Sequence, residues 1–429
     1  MSKVYLTKTS PATVIEDYQL LMRTADYKKH FKKNQPVVIK LNLSWTRFYP
    51  GCSSWPWQLE GIVKTLLEDG FKASQIIPVE NKTVVTDVKK GAHNNKWLGV
   101  LKKYGIKMHY LTETKYVEYK PKHKMLVLDK VFPRGILLPK IIFGANLIHP
   151  PTLKMHVFTT TTGAIKNYFG MLNTKRHLCH RFIHEAIVDL LTIQKEIHPG
   201  IFAITDGVTA GEGSGPRAMK WHIKNLLLAS NDQVALDSVS AKIMGFNPRK
   251  IKFLKMANKL GLGDIEARVC QMTNDKCQND KSKIKISKKD PIRETDFAAG
   301  SLQNFCCSQL ANLRAVREHK NFRKRPQPQK YGSQTRKNSW STSALAVEES
   351  LSLPNFHFKK ADTFASKGQK LIYGGPKWLE RFLLQTPLVP WSYMASNLYH
   401  DYYWYNLTGQ KRVKKFLKTD WGKKFLSYR

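Results

Sequence analysis

The stretch ANLIHPPTLKMHVFTTTTGAIKNYFGML, residues 145–172, concentrates polar side chains that a hydrophobic core does not require. It reads as a short apolar strand that runs into Pro150 and Pro151 and then into a polar turn holding Lys154 and His156. This order predicts a strand-to-helix connection in an α/β fold, with two ionisable side chains at the end of a strand.

The second half of the stretch predicts a helix N-terminus. Four threonines, Thr159–Thr162, precede Gly163 and a short helix-like segment with Lys166 and Asn167. Threonine is a good N-cap, and a helix N-terminus offers free N–H groups to an anion. We therefore expect Lys154, Lys166 and this terminus, with Thr162 as its cap, to form an anion site. An ordinary capped connection with solvated lysines is the alternative.

Two apolar segments of the first half end in polar residues. VVIKLNL, residues 37–43, is short and β-branched and contains Lys40 and Asn42, and QIIPVENK ends at Glu80 and Asn81. Ligand groups of α/β proteins lie beyond the carboxyl ends of parallel strands. We predict an α/β fold with a largely parallel sheet in two lobes, interrupted by an antiparallel excursion over residues 112–143.

A further candidate site follows the segment IFAITDGVTAGEGSGP, residues 201–216. Its apolar strand ends at Asp206, and a loop with Gly211, Gly213 and Gly215 comes next. Glycines let backbone N–H groups approach a ligand closely, although the spacing is neither that of a dinucleotide fold nor that of a Walker A loop. We predict Asp206 as a ligand of a metal or hydroxyl group and the loop as a lid. A plain glycine-rich turn is the alternative.

Three further residues have competing interpretations. His180 and His184 are four residues apart, a spacing that can hold a metal on one helix face, but the glutamate of a metalloprotease is missing, so no metal site is predicted. Asp237 lies on an otherwise apolar helix, where it either fixes Lys154 or Lys166 or caps a neighbouring loop.

Composition limits the protein class. The chain has 429 residues, 42% hydrophobic residues and a formal charge of +39, so it can bury a full core and favours anionic partners. The N-terminus has no uninterrupted apolar region, and no window approaches 18 apolar residues, which predicts a cytoplasmic protein. The six cysteines form no C-x-x-C pair: Cys52, Cys179, Cys270, Cys277, Cys306 and Cys307.

Several of these motifs resemble a known family. P-x-x-K-x-H at residues 151–156, followed by TGAIKNYFG at residues 162–170, is similar to the signature of the domain of unknown function 362 family. The K-x-N of Lys40 and Asn42 and the D-G followed by G-x-G-P at residues 206–216 resemble it too. Members of that family often carry ferredoxin-type iron–sulfur modules, which implies a redox link, but this chain lacks their cysteine spacing.

Beyond residue 271 the composition changes. Residues 272–354 are polar and basic, which predicts a low-order insertion or linker between a core domain of residues 1–271 and a tail of residues 355–429. The tail combines a basic cluster with many aromatic residues, including Trp378, Trp391, Trp404 and Trp421. Helical packing on the core is the preferred interpretation of the tail, peripheral membrane contact the second, and nucleic-acid binding the third.

Together these features predict a cleft for an anionic small molecule or cofactor of unknown identity. His156, Lys154, Lys166 and Asp206 are the candidate catalytic residues, and whether the protein is an enzyme stays open. The candidate ligand-binding residues are Lys40, Asn42, Thr162, Gly163, Asn167, Gly213 and Gly215. Two alternatives remain: an accessory protein that docks a separate iron–sulfur or flavin partner, and a charge-driven binder of nucleic acid or a membrane surface.

Overall fold

The computed structural model describes residues 1–83, 86–156, 158–173, 176, 179, 182–273, 276–278 and 399–428. Outside these ranges lie most of the predicted linker and the residues His180, Cys306, Cys307, Trp378 and Trp391, and the side chain of Cys277 is not among those described.

Within the described residues the fold is mixed α/β around one large, largely parallel sheet, as predicted. The β-strands are β1 (Lys3–Lys8), β2 (Val37–Lys40), β3 (Ile76–Glu80), β4 (His109–Tyr110), β5 (Tyr116–Tyr119), β6 (Ile136–Pro139), β7 (Asn146–His149), β8 (Thr152–His156), β9 (Thr160–Thr161), β10 (Ile201–Ser214), β11 (Ala218–Ser230), β12 (Arg268–Thr273) and β13 (Lys276–Gln278).

The α-helices are α1 (Val14–Thr24), α2 (Pro56–Glu68), α3 (Val88–Asn94), α4 (Trp97–Lys103), α5 (Leu128–Val131), α6 (Ala164–Asn167), α7 (Ile183–Ile197), α8 (Gln233–Ile243), α9 (Lys252–Lys259), α10 (Gln410–Leu417) and α11 (Asp420–Ser427). A π-helical segment, Tyr399–Gly409, leads directly into α10.

One continuous sheet joins the two halves of the core. Its strands run in the order β13-β12-β1-β11-β10-β7-β2-β3-β4, and β8 pairs with β10 beside this path. Strands β7, β2, β3 and β4 are parallel to their neighbours, whereas β10 and β11 form a long antiparallel hairpin. The predicted antiparallel excursion is confirmed, because β5 and β6 form a separate two-stranded sheet.

Both faces of the sheet are covered. In β2, Val37 and Ile39 belong to the core beneath α1 and α2, whereas Val38 points into the opposite core beneath α7 and α9. A strand that is buried on both faces needs apolar residues at successive positions, which is the pattern that VVI supplies. The parallel arrangement brings the carboxyl ends of β2, β3 and β7 to one edge.

The C-terminal segment is helical and aromatic, as predicted, over residues 399–428. Its Phe416, Trp421 and Phe425 are buried in the same core as α1 and α2. The rings of Phe48 and Phe425 stack with centroids 3.8 Å apart. The C-terminal helices therefore complete the core on the α1 and α2 face of the sheet. The predicted domain boundaries stay predictions.

Candidate functional site

The carboxyl ends of β2 and β3 hold a buried ion pair. Lys40 Nζ donates to Glu80 Oε1 at 2.7 Å and to the Leu41 carbonyl oxygen at 2.6 Å. The other carboxylate oxygen of Glu80 accepts the Leu43 N–H at 2.8 Å. Burial lowers the pKa of Lys40, and the carboxylate opposes that shift. Lys40, predicted to bind a ligand, is thus neutralised by its own chain.

Lys154 is also buried, and its contacts are oxygens. Its Nζ donates to Asn42 Oδ1, to the Cys52 carbonyl at 2.8 Å and to Thr152 Oγ1 at 2.7 Å. An ammonium group has three N–H donors, so these acceptors occupy all of them. Burial lowers the pKa of Lys154 to about 7. In the structure Lys154 and Asn42 therefore hold the loop after β2 against β8, and their predicted roles at a ligand stay predictions.

Lys166 has a different environment. Its side chain is partly buried, and its Nζ lies 5.9 Å from the centroid of the Phe169 ring. Within the described residues no hydrogen bond and no ion pair holds this ammonium group. Burial, together with the positive charge of Arg176, lowers its pKa to about 8. Among the described residues, Lys166 is therefore a partly buried cation that pairs with no carboxylate.

Arg176, which sequence analysis missed, adds a second buried cation. Its guanidinium donates to the Leu172 carbonyl at 2.9 Å, the Asn173 carbonyl at 3.3 Å and the Lys82 carbonyl. These carbonyls satisfy hydrogen bonds, but they carry no negative charge that would pair with the guanidinium. Burial lowers the pKa of Arg176, while the carboxylate of Glu80 raises it. No motif in the sequence indicated this role, because the residue lies beyond the helix that the pattern marked.

These groups form a basic cluster, which we define as Lys40, Lys154, Lys166 and Arg176. The charges interact, since Arg176 lowers the pKa of Lys40 and of Lys166, and Lys166 lowers that of Lys154. Within the described residues, the carboxylate that counteracts the cluster is that of Glu80, which pairs directly with Lys40. The four basic side chains of the cluster therefore carry more positive charge than the single carboxylate of Glu80 can neutralise.

The predicted helix terminus is not free. The Asp237 carboxylate accepts the N–H groups of Ala164 at 2.7 Å and of Ile165 at 3.0 Å, which are the first two residues of α6. Thr162 is not the cap, because its side chain makes no capping bond to this helix. A Cβ on Gly163 would lie 2.2 Å from Asp237 Oδ1, so glycine is required for this contact. The expectation of an anion site at this terminus was wrong.

Asp237 confirms one of its two sequence interpretations. It caps a neighbouring segment instead of fixing Lys154 or Lys166. Its buried carboxylate accepts both free N–H groups at the start of α6, so these groups need no ligand. Burial raises the pKa of Asp237 to about 7. The only anion that this helix terminus needs is supplied by α8.

Asn167 and His149 form a buried hydrogen-bonded chain. Asn167 Nδ2 donates to the Lys40 carbonyl at 2.6 Å and lies 3.2 Å from His149 Nδ1. His149 Nε2 lies 2.8 Å from Gln194 Oε1. Burial lowers the pKa of His149 to about 3, so the ring is neutral and donates through Nε2. Asn167 thus connects α6 to β2, and its predicted ligand role stays a prediction.

His156 lies at the end of β8 and is 8% exposed. Its Nδ1 accepts the Phe158 N–H at 3.1 Å, which leaves Nε2 as the protonated nitrogen of the neutral ring. Lys154 and His156 are two residues apart on one strand and therefore point to the same side of it. The structure places His156 on the same strand as Lys154, beside the basic cluster, and its predicted catalytic role stays a prediction.

Asp206 is fully buried on the α1 and α2 side of β10. Its carboxylate accepts Tyr18 Oη–H at 2.7 Å, Trp57 Nε1–H at 2.9 Å and the Val208 N–H at 2.9 Å. Burial raises the pKa of Asp206 to about 6. It lies opposite Thr152 in the β8–β10 pairing, so it is close to Lys154 in the sheet. Its three donors come from the protein itself, which favours a structural carboxylate.

The predicted glycine lid is part of a β-hairpin. Gly211 and Gly213 lie within β10, and Gly215 is in the turn that leads into β11. A Cβ on Gly215 would lie 1.9 Å from the Met155 carbonyl oxygen. The expectation of an open loop was wrong. Gly215 is needed because the hairpin packs so closely against β8 that a side chain at this position would not fit.

No metal centre is apparent in the described residues, where no three His, Cys, Asp or Glu side chains group in a way that could hold an ion. His184 lies with its ring stacked on Phe253, centroids 6.2 Å apart, and burial lowers its pKa to about 4. Its predicted partner His180 is outside the described residues. None of the described helices has the length and hydrophobicity to cross a bilayer.

Comparisons with known proteins give a family and a distant relative. Residues 37–242 match the sequence model described as "Domain of unknown function (DUF362)". A thylakoid-associated protein of Synechocystis sp. is 33% identical over 130 residues, which is 29% of this chain and 40% of the relative. The chain thus matches less than half the length of that relative. No solved structure matches this chain.

Proposed function

Residues 37–242 belong to the domain of unknown function 362 family, and from the geometry of this segment we propose that the protein binds an anionic small molecule at the basic cluster. Lys166 is the central contact, and Arg176 supplies the neighbouring charge. Phosphate and carboxylate groups are the anions that such side chains recognise.

The observation that carries the proposal is the isolation of Lys166. Transferring an ammonium group out of water is unfavourable unless an anion or several hydrogen bonds compensate. Lys40 has Glu80 and Lys154 has three oxygens, whereas the described residues offer Lys166 only an aromatic ring and a second cation. A bound anion would supply the missing compensation for Lys166 and Arg176 together.

The proposed ligand sets the roles of the other residues. Lys40, Asn42, Lys154 and Asn167 hold the strand ends and the loop in place, as their contacts with the chain require. Lys166 contacts the anion, and it also suits proton transfer, because a lysine whose pKa lies near 8 is partly neutral at physiological pH. An enzymatic reaction at this site would use Lys166 as its base, with His156, which lies on the same strand as Lys154, as the candidate for a second proton-transfer group.

A ligand-binding experiment tests the proposal. Isothermal titration calorimetry of the purified chain with inorganic phosphate, pyrophosphate and citrate should show saturable binding of at least one of them. Lys166→Met should weaken that binding by about tenfold or more, which corresponds to one lost charge-assisted contact of about 1.4 kcal/mol.

Lys242→Met is the matched control. Lys242 is also largely buried, and burial lowers its pKa. Its Nζ lies 4.0 Å from Glu266 Oε2, and it does not belong to the basic cluster. Its substitution should leave anion affinity unchanged. The proposal fails if none of the three anions binds, or if the two methionine variants bind equally well.

A further inference from the structure

We propose that helices α10 and α11 form a docking surface for the face of an acidic lipid bilayer. This surface is separate from the basic cluster and does not depend on the proposed anion site. Four lysines define it, and we call it the lysine face: Lys411, Lys414, Lys415 and Lys418.

The lysine face follows helical periodicity. The four positions are spaced i, i+3, i+4 and i+7, so they lie on one side of α10. All four lysines are exposed, whereas Val413 and Phe416 on the opposite side are buried. Within the described residues no carboxylate forms an ion pair with any of the four. The helix therefore presents a row of unneutralised ammonium groups to solvent.

The rest of the segment fixes this orientation. Trp421 Nε1 donates to Asn225 Oδ1 at 2.7 Å, and Tyr428 Oη donates to Glu60 Oε2 at 2.7 Å. Arg412, the one arginine of α10, faces inward, where its Nη1 donates to the Met219 carbonyl at 2.7 Å. Both helices are thus held against the core at several points, and the lysine face is a fixed outer surface.

The acidic residues of the segment do not counteract the lysine face. Asp401 is bonded to Trp45 Nε1, and Asp420 pairs with Lys423 at 3.1 Å. The segment also exposes two large apolar side chains, Leu407 at 55% and Leu426 at 57%. Exposed lysines together with exposed leucines are the features of a surface that lies on a membrane without crossing it.

The placement of the aromatic residues argues for lipid over nucleic acid. Proteins that bind single strands stack bases on exposed aromatic rings, and sequence-specific DNA contacts favour arginine. Here Trp404, Phe416, Trp421 and Phe425 are buried, and Arg412 contacts the core. The exposed charge that remains on this helix is that of the lysine ammonium groups, which suits the phosphate and carboxylate headgroups of an acidic bilayer.

Vesicle co-sedimentation of the full chain tests this surface. The protein should bind vesicles of phosphatidylcholine mixed with phosphatidylserine, should not bind vesicles of phosphatidylcholine alone, and should dissociate as salt is added. Replacing all four lysines of the lysine face with glutamine should lower the partition coefficient by about a hundredfold or more, because each lysine near an acidic surface contributes about fivefold.

A second quadruple variant controls for net charge. Lys115, Lys120, Lys122 and Lys124 are also exposed, and their replacement with glutamine removes the same charge from another part of the surface. This control should keep most of its vesicle binding. Equal losses in both variants, or no binding to the acidic vesicles, would overturn the proposal. The proposal would also be overturned if the quadruple lysine variant lost binding to double-stranded DNA but kept its binding to acidic vesicles.

Discussion

The region around Lys40 and the region around Lys166 differ in how a buried ammonium charge is compensated. Both place a lysine ammonium in a largely dehydrated position near the carboxyl ends of the central strands. Lys40 is compensated within the chain by Glu80, at 2.7 Å. Lys166 has no such partner among the described residues.

The comparison separates a lysine that is paired within the chain from one that has no anionic partner among the described residues. Both lysines occur in motifs that resemble the family signature. A motif alone therefore does not distinguish a lysine that pairs within the chain from one that is proposed to bind a ligand. The number and type of acceptors around each Nζ does separate them. The same substitution to methionine should therefore lower the free energy of unfolding far more at Lys40 than at Lys166.

The largest effect is expected for Lys40→Met. It leaves the Glu80 carboxylate buried without its cation, and breaking a buried pair from one side costs about 3–5 kcal/mol. Urea denaturation measures the loss. Glu80→Gln combined with Lys40→Met should recover part of that free energy, because the buried charge is then absent. A loss below ~1 kcal/mol in the single variant would contradict the assigned ion pair.

A smaller loss is expected for Asp237→Ala, which removes the cap of α6. Two buried N–H groups lose their acceptor, and one unsatisfied buried group costs about 1–3 kcal/mol. Ser238→Ala is the neighbouring control, since the Ser238 hydroxyl is buried without a hydrogen-bond partner in the described structure. It should be neutral or stabilising by thermal denaturation. Equal losses at the two positions would argue against the cap.

Lys154 should give the protein a pH dependence. Its pKa is lowered to about 7 in the folded state and is 10.5 without the fold. Between these values the unfolded chain binds the proton and the folded chain does not, so stability rises with pH by up to about 1.4 kcal/mol per unit. Lys154→Met should remove this component. The free energy of unfolding should be measured for both proteins from pH 7 to 10. An equal rise with pH in the parent and in Lys154→Met would contradict the prediction.

The smallest effect on stability is expected for Lys166→Met. Removing an uncompensated, partly buried charge should change the free energy of unfolding by about 0.5 kcal/mol or less, or stabilise the protein. Chemical denaturation of the ligand-free chain provides the measurement. A loss as large as that of Lys40→Met would mean that Lys166 already has an anionic partner within the chain, and the contrast between the two regions would disappear.

Much of the fold could be predicted from the sequence, because its signals are local. The run VVI marks a strand buried on both faces, and alternation after residue 112 marks the small antiparallel sheet. The long β10–β11 hairpin was missed. Its glycines read as a loop, since close packing against Met155 is a tertiary requirement that no neighbouring residue announces.

The candidate site could be predicted only in outline. The motifs identified Lys40, Lys154 and Lys166 as special but could not show which of them finds a partner. Glu80 is 40 residues from Lys40, and Asp237 is 73 residues from Ala164. Pairings over such distances depend on how strands stack in the sheet, and one sequence does not contain that information.

The burial of the C-terminal helices has a consequence for how the chain acquires its structure during synthesis. Trp55 and Trp57 near the start of α2 are covered by Phe416 and Trp421, which leave the ribosome long after the central strands. Until then a nascent chain exposes a large aromatic surface, and such intermediates aggregate readily. Chaperone capture of ribosome-bound chains that end before α10 should therefore exceed that of full-length chains.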